Sequence, residues 1–157
     1  MSNKAMQAVA TPDAPAPAGT YSQAVTAGGF VFISGQTPRL PDGTRLTRSP
    51  FDVQARQALH NVEAVARSAG SSLRSATMVT VYLRNPDNRA RFDEIYRDFV
   101  ADPPPARAIV QSDLFGMELE ISAVLLATPP PPPETGEGDS FHRPFFVRPV
   151  AEAGGED

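Results

Sequence analysis

Apolar residues along the chain follow two different periods, and the change from one to the other predicts a succession of strands and helices. Residues 20–27 and 30–36 are rich in apolar and β-branched residues, and a Gly-Gly pair separates them. This arrangement predicts a β-hairpin. Residues 76–83 have the same strand-like composition. Gly35, near the end of the second predicted strand, indicates a bulge or a close approach of the backbone to another group.

Two other segments show the three- and four-residue spacing of apolar positions that is typical of amphipathic helices. Ser49 is expected to cap the first helix, Pro50 suits its first position, and Gly70 ends it. The apolar face of this helix comprises Ala55, Leu59, Val62, Ala66 and Ala69. A second helix is predicted after the cap signal at residues 85–87, and three prolines at 103–105 stop it. Its buried face comprises Phe92, Ile95, Tyr96, Phe99 and Val100.

The last two predicted strands flank a loop at residues 112–116. Arg107 lies at the start of the first strand, and Glu120 lies in the middle of the second. Because side chains alternate across a strand, Glu118, Glu120 and Ser122 share one face. We expect the two strands to be neighbours. Arg107 and Glu120 then either form a simple ion pair or hold an anionic substrate and position a water molecule beside it.

The order β-β-α-β-α-β-β predicts an α+β fold in which two helices cover one face of a mixed sheet. The uncovered face carries apolar residues, so an oligomer is expected. Residues 1–18 are expected to form an extended N-terminal segment and residues 19–127 the folded domain. Residues 128–157 form a proline-rich linker and an acidic tail. An aromatic island in that tail either belongs to a disordered extension or docks on a groove.

Composition narrows the possible chemistry. The 157 residues include no cysteine and two histidines, so we expect no disulfide, no thiolate nucleophile and no metal site. No apolar run reaches the roughly 20 residues that span a bilayer, and the first residues lack the apolar core of a signal peptide. We therefore expect a cytoplasmic protein with no membrane partner.

The negative charge is concentrated in the tail. The net charge is −4, and residues 134–157 contain six acidic residues and two arginines. Residues 1–133 are therefore neutral, and they show no basic field of the kind that drives nucleic-acid binding. No nucleic-acid partner is expected.

Seven short stretches, taken together and in their order along the chain, form a distinctive sequence pattern. They are PAGTYSQA (17–24), ISGQ (33–36), QARQALHNV (54–62), VTVYL (79–83), residues 92–99, PARAIV (105–110) and LEI (119–121). Together they resemble the RidA/YjgF family of reactive intermediate deaminases. The resemblance implies a chorismate-mutase-like α+β fold and a homotrimer. The open sheet faces would pack around the three-fold axis, with the ligand clefts between subunits.

The resemblance also implies roles for individual residues. Arg107 resembles the carboxylate-binding arginine of the family, and Glu120 resembles its water-positioning glutamate. Tyr21, Ser34 and Gly35 resemble residues that line the same cleft. The implied reaction is hydrolysis of an enamine or imine, such as 2-aminoacrylate, to a 2-keto acid and ammonia, without a cofactor. A guanidinium binds a carboxylate bidentately, and a protonated imine carbon needs little more than one oriented water.

Three positions depart from the usual pattern of the family. Asp93 stands where asparagine is frequent, Ile109 where cysteine is frequent, and Ser122 where a second glutamate is common. Asp93 and Ile109 are expected to contact the substrate, and a carboxylate at position 93 that faced the cleft would repel an acid. Two alternatives therefore stay open: a protein that binds a small carboxylate without turnover, and a pathway enzyme that uses the cleft for another reaction. RNA cleavage is the weakest hypothesis, because the body is neutral.

Overall fold

A six-stranded sheet forms the centre of the part of the chain that the computed structural model describes, residues 6–127. The strands are β1 (Gln7–Val9), β2 (Ala24–Ala27), β3 (Phe30–Gln36), β4 (Ala76–Leu83), β5 (Ala106–Gln111) and β6 (Leu119–Leu126). They lie in the order β1-β2-β3-β6-β4-β5. Neighbouring strands are antiparallel except β4 and β5, which are parallel. The predicted linker and tail, including the aromatic island, lie outside the described residues.

The two helices are α1 (Phe51–Ser68) and α2 (Arg89–Tyr96), and short 3-10 turns at Leu73–Ser75 and Pro86–Asn88 precede β4 and α2. The prediction that Ser49 caps α1 is wrong. Pro50, with an extended ψ of 154°, occupies the N-cap position, and no side chain caps the helix. Ser49 lies one residue too early, and its carbonyl instead accepts a hydrogen bond from the Gln54 side chain at 2.8 Å.

The end of α1 follows the sequence signal. Gly70 has a φ of +71°, which is unfavourable for residues with a side chain. Its N–H donates to the Arg67 carbonyl, and the N–H of Ser71 donates to the Ala66 carbonyl, both at 2.9 Å. This is a Schellman motif, which satisfies carbonyls that the last helical turn leaves free.

Both helices contribute to one core on the same face of the sheet. The fully buried residues there include Leu59, Val62, Val79, Val81, Phe92, Ile95, Ile121 and Leu125. The opposite face carries large apolar side chains that are at least one-third exposed: Phe30, Phe32, Met78 and Leu126. Within residues 6–127 no helix covers them. The α+β prediction of a mixed sheet with two helices on one face is confirmed.

The N-terminal strands differ from the prediction. The strand predicted from residue 20 begins only at Ala24, and residues 20–23 form a loop. The buried side chain of Gln23 explains the difference, because its amide group donates to the carbonyls of Ala14 and Pro15 at 3.2 and 2.9 Å. The glutamine thus holds the N-terminal segment across the sheet edge. That segment also adds β1, which pairs with β2.

Candidate functional site

Arg107 projects from the edge strand β5 towards the helix-covered face of the sheet. Its register partner on β4 is the buried Val79, and paired residues point to the same face. The guanidinium carbon lies 5.1 Å from the ring centroid of Tyr96 and 5.9 Å from that of Phe92. The two rings stack on each other at 5.3 Å. Cation–π contact therefore holds the guanidinium against α2.

Asp93 lies beside the same guanidinium. Arg107 Nη1 donates to Asp93 Oδ1 at 2.5 Å, and the two side chains are 25% and 42% exposed. Both residues line a cleft of about 330 Å³ between α2 and the start of β5, here called the arginine cleft. Its other lining residues are Tyr96, Arg97, Val100, Pro104 and Pro105. The remaining donors of Arg107 have no protein acceptor within residues 6–127, so they are available to a ligand.

Tyr96 lines the arginine cleft and has a buried hydroxyl. The residue is 4% exposed, and its hydroxyl has no hydrogen-bond partner among the described residues. Burial raises the pKa of Tyr96 to about 12, with a smaller opposing effect from Arg107 and a reinforcing one from Asp93. The hydroxyl therefore keeps its proton at neutral pH and is a potential donor.

Glu120 occupies the opposite, open face of the sheet. It pairs in register with Tyr82 on β4, and its carboxylate lies directly over Gly35 of β3. A Cβ atom on Gly35 would lie 1.9 Å from Glu120 Oε1 and 2.7 Å from the carboxyl carbon. The ladder between β3 and β6 is irregular between Ile33 and Gln36, so the glycine combines the predicted bulge with the predicted close approach.

Ser34 and Tyr21 lie near the strand end that carries Gly35. The Ser34 hydroxyl donates to the Ser22 carbonyl at 2.7 Å, which ties β3 to the loop before β2. Tyr21 belongs to that loop and not to a strand, and it is 45% exposed. Its hydroxyl accepts a hydrogen bond from the Ala18 N–H at 3.0 Å. Ser34, Gly35 and Glu120 are here called the glutamate site.

The structure does not bring Ile109 into the arginine cleft. Two residues after Arg107, it points to the same face of β5 but lies further along the strand. There it packs, half-buried, against the hydrophobic core. Its contact with the substrate stays a prediction.

Arg107 and Glu120 lie on opposite faces of the sheet. Arg107 on β5 and Ala123 on β6 both pair in register with Val79 on β4, so all three side chains point to the covered face. Glu120 is three residues from Ala123 and therefore points to the other face. The expectation that their strands are neighbours is wrong, since β4 lies between β5 and β6. One chain thus carries two separate groups of polar residues, and a direct ion pair between Arg107 and Glu120 is ruled out within it.

Sequence reasoning missed the place of Tyr96 in the cleft. It identified the residue only as part of the buried helix face, because a tyrosine at helical spacing is more often a core residue. The available signal was its spacing from Asp93 and Arg97, which puts all three close together at the C-terminal end of α2, before the strand that carries Arg107.

Within residues 6–127, no cluster of three or more histidine, cysteine, aspartate or glutamate side chains has a geometry that would hold a metal ion. In the same range, no helix is both long enough and apolar enough to cross a membrane.

The chain is similar in sequence to a family model and to several known proteins. The family model described as Endoribonuclease L-PSP matches residues 11–127. A RutC family protein of Pyrococcus horikoshii is 38% identical over 105 residues, which are 67% of this chain and 83% of the relative. A 2-iminobutanoate/2-iminopropanoate deaminase of Dermatophagoides farinae is 32% identical over 102 residues, which are 65% of this chain and 80% of the relative.

A solved structure has a similar fold. The crystal structure of RidA from the Antarctic bacterium Psychrobacter sp. matches with a TM-score of 0.72 at 38% sequence identity. The match covers 76% of this chain and 98% of that chain.

Replacement of Gly35 by alanine is expected to displace the Glu120 carboxylate and leave the fold intact. The atoms that the new methyl group would meet belong to the flexible end of a side chain, so the free energy of unfolding should change by no more than about 1 kcal/mol. Urea unfolding and a crystal structure of the variant test this. Gly19→Ala is the matched control, because its new methyl group would meet its nearest neighbour at an ordinary 3.6 Å. A stability loss of several kcal/mol, or an unmoved Glu120, would contradict the expectation.

Replacement of Tyr96 by phenylalanine is expected to alter stability at high pH. The folded-state pKa is raised from 10.0 to about 12, so the wild-type chain loses stability as the pH rises through this window. The phenylalanine variant lacks this loss and should gain about 1 kcal/mol relative to wild type between pH 8 and pH 11. Parallel urea titrations at the two pH values measure the difference. An equal pH dependence of both proteins would refute the expectation.

Proposed function

The chain belongs to the Endoribonuclease L-PSP family, the family of the RidA, YjgF and RutC proteins, and we propose that it hydrolyses reactive enamines and imines, such as 2-aminoacrylate, to 2-keto acids and ammonia. The observation that carries the proposal is the state of Arg107. Its side chain is 25% exposed, and its guanidinium is held against two aromatic rings and open to a ligand through its remaining donors. Such a group binds a small carboxylate with defined geometry.

Glu120 supplies the second part of the proposed reaction. Its carboxylate lies over Gly35, and no donor within residues 6–127 forms a hydrogen bond with it. It is therefore free to orient a water molecule. The water oxygen forms a bond to the imine carbon while one of its protons passes to Glu120. Glu120 passes that proton to the nitrogen of the resulting carbinolamine, and the carbon–nitrogen bond then breaks. Ammonia leaves, the hydroxyl proton is released to solvent water, and the carbonyl group of the 2-keto acid forms.

The two residues meet, in this proposal, between neighbouring chains of a homotrimer. The apolar side chains on the open face support an interface there, because an apolar surface of this kind is rarely left to solvent. Glu120 lies on that face and Arg107 at the edge of the sheet, so contact between two chains is the simplest way to join them.

The name of the deaminase from Dermatophagoides farinae supports this reaction for a relative that is 32% identical. The competing function is binding of a small carboxylate without turnover. The RutC family relative does not separate the two, since its name states no reaction.

Ammonia and 2-keto acid release from imines made in situ by an amino-acid oxidase tests the proposed reaction. The wild-type chain should exceed the spontaneous rate. Arg107→Ala should lower kcat/KM about 10- to 150-fold through weaker carboxylate binding. Glu120→Gln should lower kcat about 100-fold or more with little change in KM. Arg67→Ala, which removes an arginine with a 76% exposed side chain far from both sites, is the control and should behave as wild type.

The outcomes separate the two functions. No acceleration by the wild-type chain with any imine would overturn the deaminase proposal. Carboxylate binding that depends on Arg107, without turnover, would then establish the non-catalytic function.

Replacement of Phe32 by aspartate is expected to break the proposed trimer. Phe32 is 42% exposed on the open face, and a carboxylate buried there in an interface would lack a partner. Analytical ultracentrifugation should give a trimer for wild type and a smaller species for the variant. Val53→Asp is the matched control, because Val53 is 48% exposed on α1, on the other side of the sheet. A monomeric wild-type protein would refute the shared site.

A further inference from the structure

The charge of Arg107 is already partly compensated inside the cleft. Asp93 accepts a hydrogen bond from Arg107 Nη1 at 2.5 Å, and the Arg107 and Asp93 side chains are 25% and 42% exposed. Solvent therefore screens this pair less than it screens the exposed ion pairs elsewhere on α2. Arg97 also lines the cleft, but it is exposed to solvent at the rim. The inner part of the cleft thus presents one cation and one anion side by side.

A ligand that carries only a negative charge fits this arrangement poorly. Its carboxylate gains the free donors of Arg107 but lies next to the Asp93 carboxylate, and like charges in a partly buried site repel. A ligand with a carboxylate and a cationic nitrogen on adjacent carbons avoids that repulsion. Its carboxylate accepts hydrogen bonds from Arg107, and its nitrogen donates to Asp93 Oδ2, which has no partner within residues 6–127.

We propose that Asp93 makes the arginine cleft select ligands that carry a cationic nitrogen beside a carboxylate, so that it binds the protonated 2-imino acid in preference to the 2-keto acid. The inference rests on the proposed function and names the substrate form that the site takes. Asp93 is then a substrate-binding residue that sets specificity, in addition to holding Arg107.

A second observation at the same place points to a ligand. Tyr96 lines this cleft, and the residue is 96% buried with no hydrogen-bond partner for its hydroxyl among the described residues. Burial of an unpaired hydroxyl is unfavourable unless a partner is supplied. A ligand carboxylate bound to Arg107 supplies an acceptor beside the ring on which the guanidinium rests.

In this proposal, selection of the protonated imino acid also assists the reaction. Protonation of the imine nitrogen makes its carbon electrophilic, and the Asp93 carboxylate stabilises that protonated form. Hydrolysis removes the nitrogen as ammonia, so the cationic group is lost and the remaining 2-keto acid meets the Asp93 carboxylate without compensation. Asp93 therefore favours the reactive form of the substrate and disfavours retention of the product.

Binding of two stable compounds separates this selection from turnover. L-Alanine and pyruvate share a three-carbon skeleton and a carboxylate, but only alanine carries a cationic nitrogen. Isothermal titration calorimetry with each compound is performed on wild type, Asp93→Asn and Glu94→Gln. Glu94 is the matched control, because its replacement removes the same charge from the next residue of α2, where Glu94 pairs with Arg91 outside the cleft.

Wild type and Glu94→Gln should bind alanine more tightly than pyruvate. In Asp93→Asn the ratio of the two dissociation constants should shift towards pyruvate by about tenfold or more. Circular dichroism and sedimentation confirm that each variant retains its fold and assembly. Wild type that prefers pyruvate, wild type that binds neither compound, or a ratio unchanged in Asp93→Asn would each overturn the proposal. An unchanged ratio with both affinities reduced would identify Asp93 as a residue that only positions Arg107.

The result does not depend on whether the chain is a deaminase. Selective binding of alanine without ammonia release from imines would refute the proposed reaction and support the role of Asp93. Ammonia release together with an unchanged ratio in Asp93→Asn would support the reaction and refute that role.

Discussion

The alternation of side chains across a strand decides how this chain presents its polar groups. On β5 the alternation turns Arg107 towards the helices, where the aromatic rings of α2 hold it. On β6 it turns Glu120 towards the open face, where Gly35 leaves room for the carboxylate. A shift of one residue in either register would move the side chain to the wrong face. The two sites therefore depend on strand pairing before they depend on any contact of their own.

Much of the fold was predictable because local signals agreed with the tertiary structure. The bounds of β3, β4 and β5 follow directly from apolar and β-branched runs, and Gly70 marks the end of α1. The start of β2 was not predictable, since it depends on the buried amide of Gln23, whose partners are 8 and 9 residues away. The relation of Arg107 to Glu120 was missed for a similar reason, because strand order is a property of the whole sheet.

The candidate site, like the fold, was predictable from the sequence only in part. The identity of Arg107, Glu120 and Gly35 as notable residues came from sequence, but the partner of Arg107 required the structure. Asp93 changes the arginine from an isolated cation into one member of a pair, and the buried hydroxyl of Tyr96 adds a polar group that helical periodicity assigned to the core. The affinity of a ligand for such a cleft depends on two opposing contributions to the binding free energy. One is its attraction to the Arg107 guanidinium, and the other is its repulsion by the Asp93 carboxylate.

The placement of Arg107 and Glu120 on opposite faces also has a genetic consequence. If the arginine cleft of one chain is completed by the glutamate site of another, the working unit is the contact between chains and not the gene product alone. A chain without Arg107 and a chain without Glu120 are then each inactive as pure assemblies. A mixed assembly of the two contains contacts in which an intact arginine faces an intact glutamate. Two defective alleles would complement each other, and the sheet geometry is the reason.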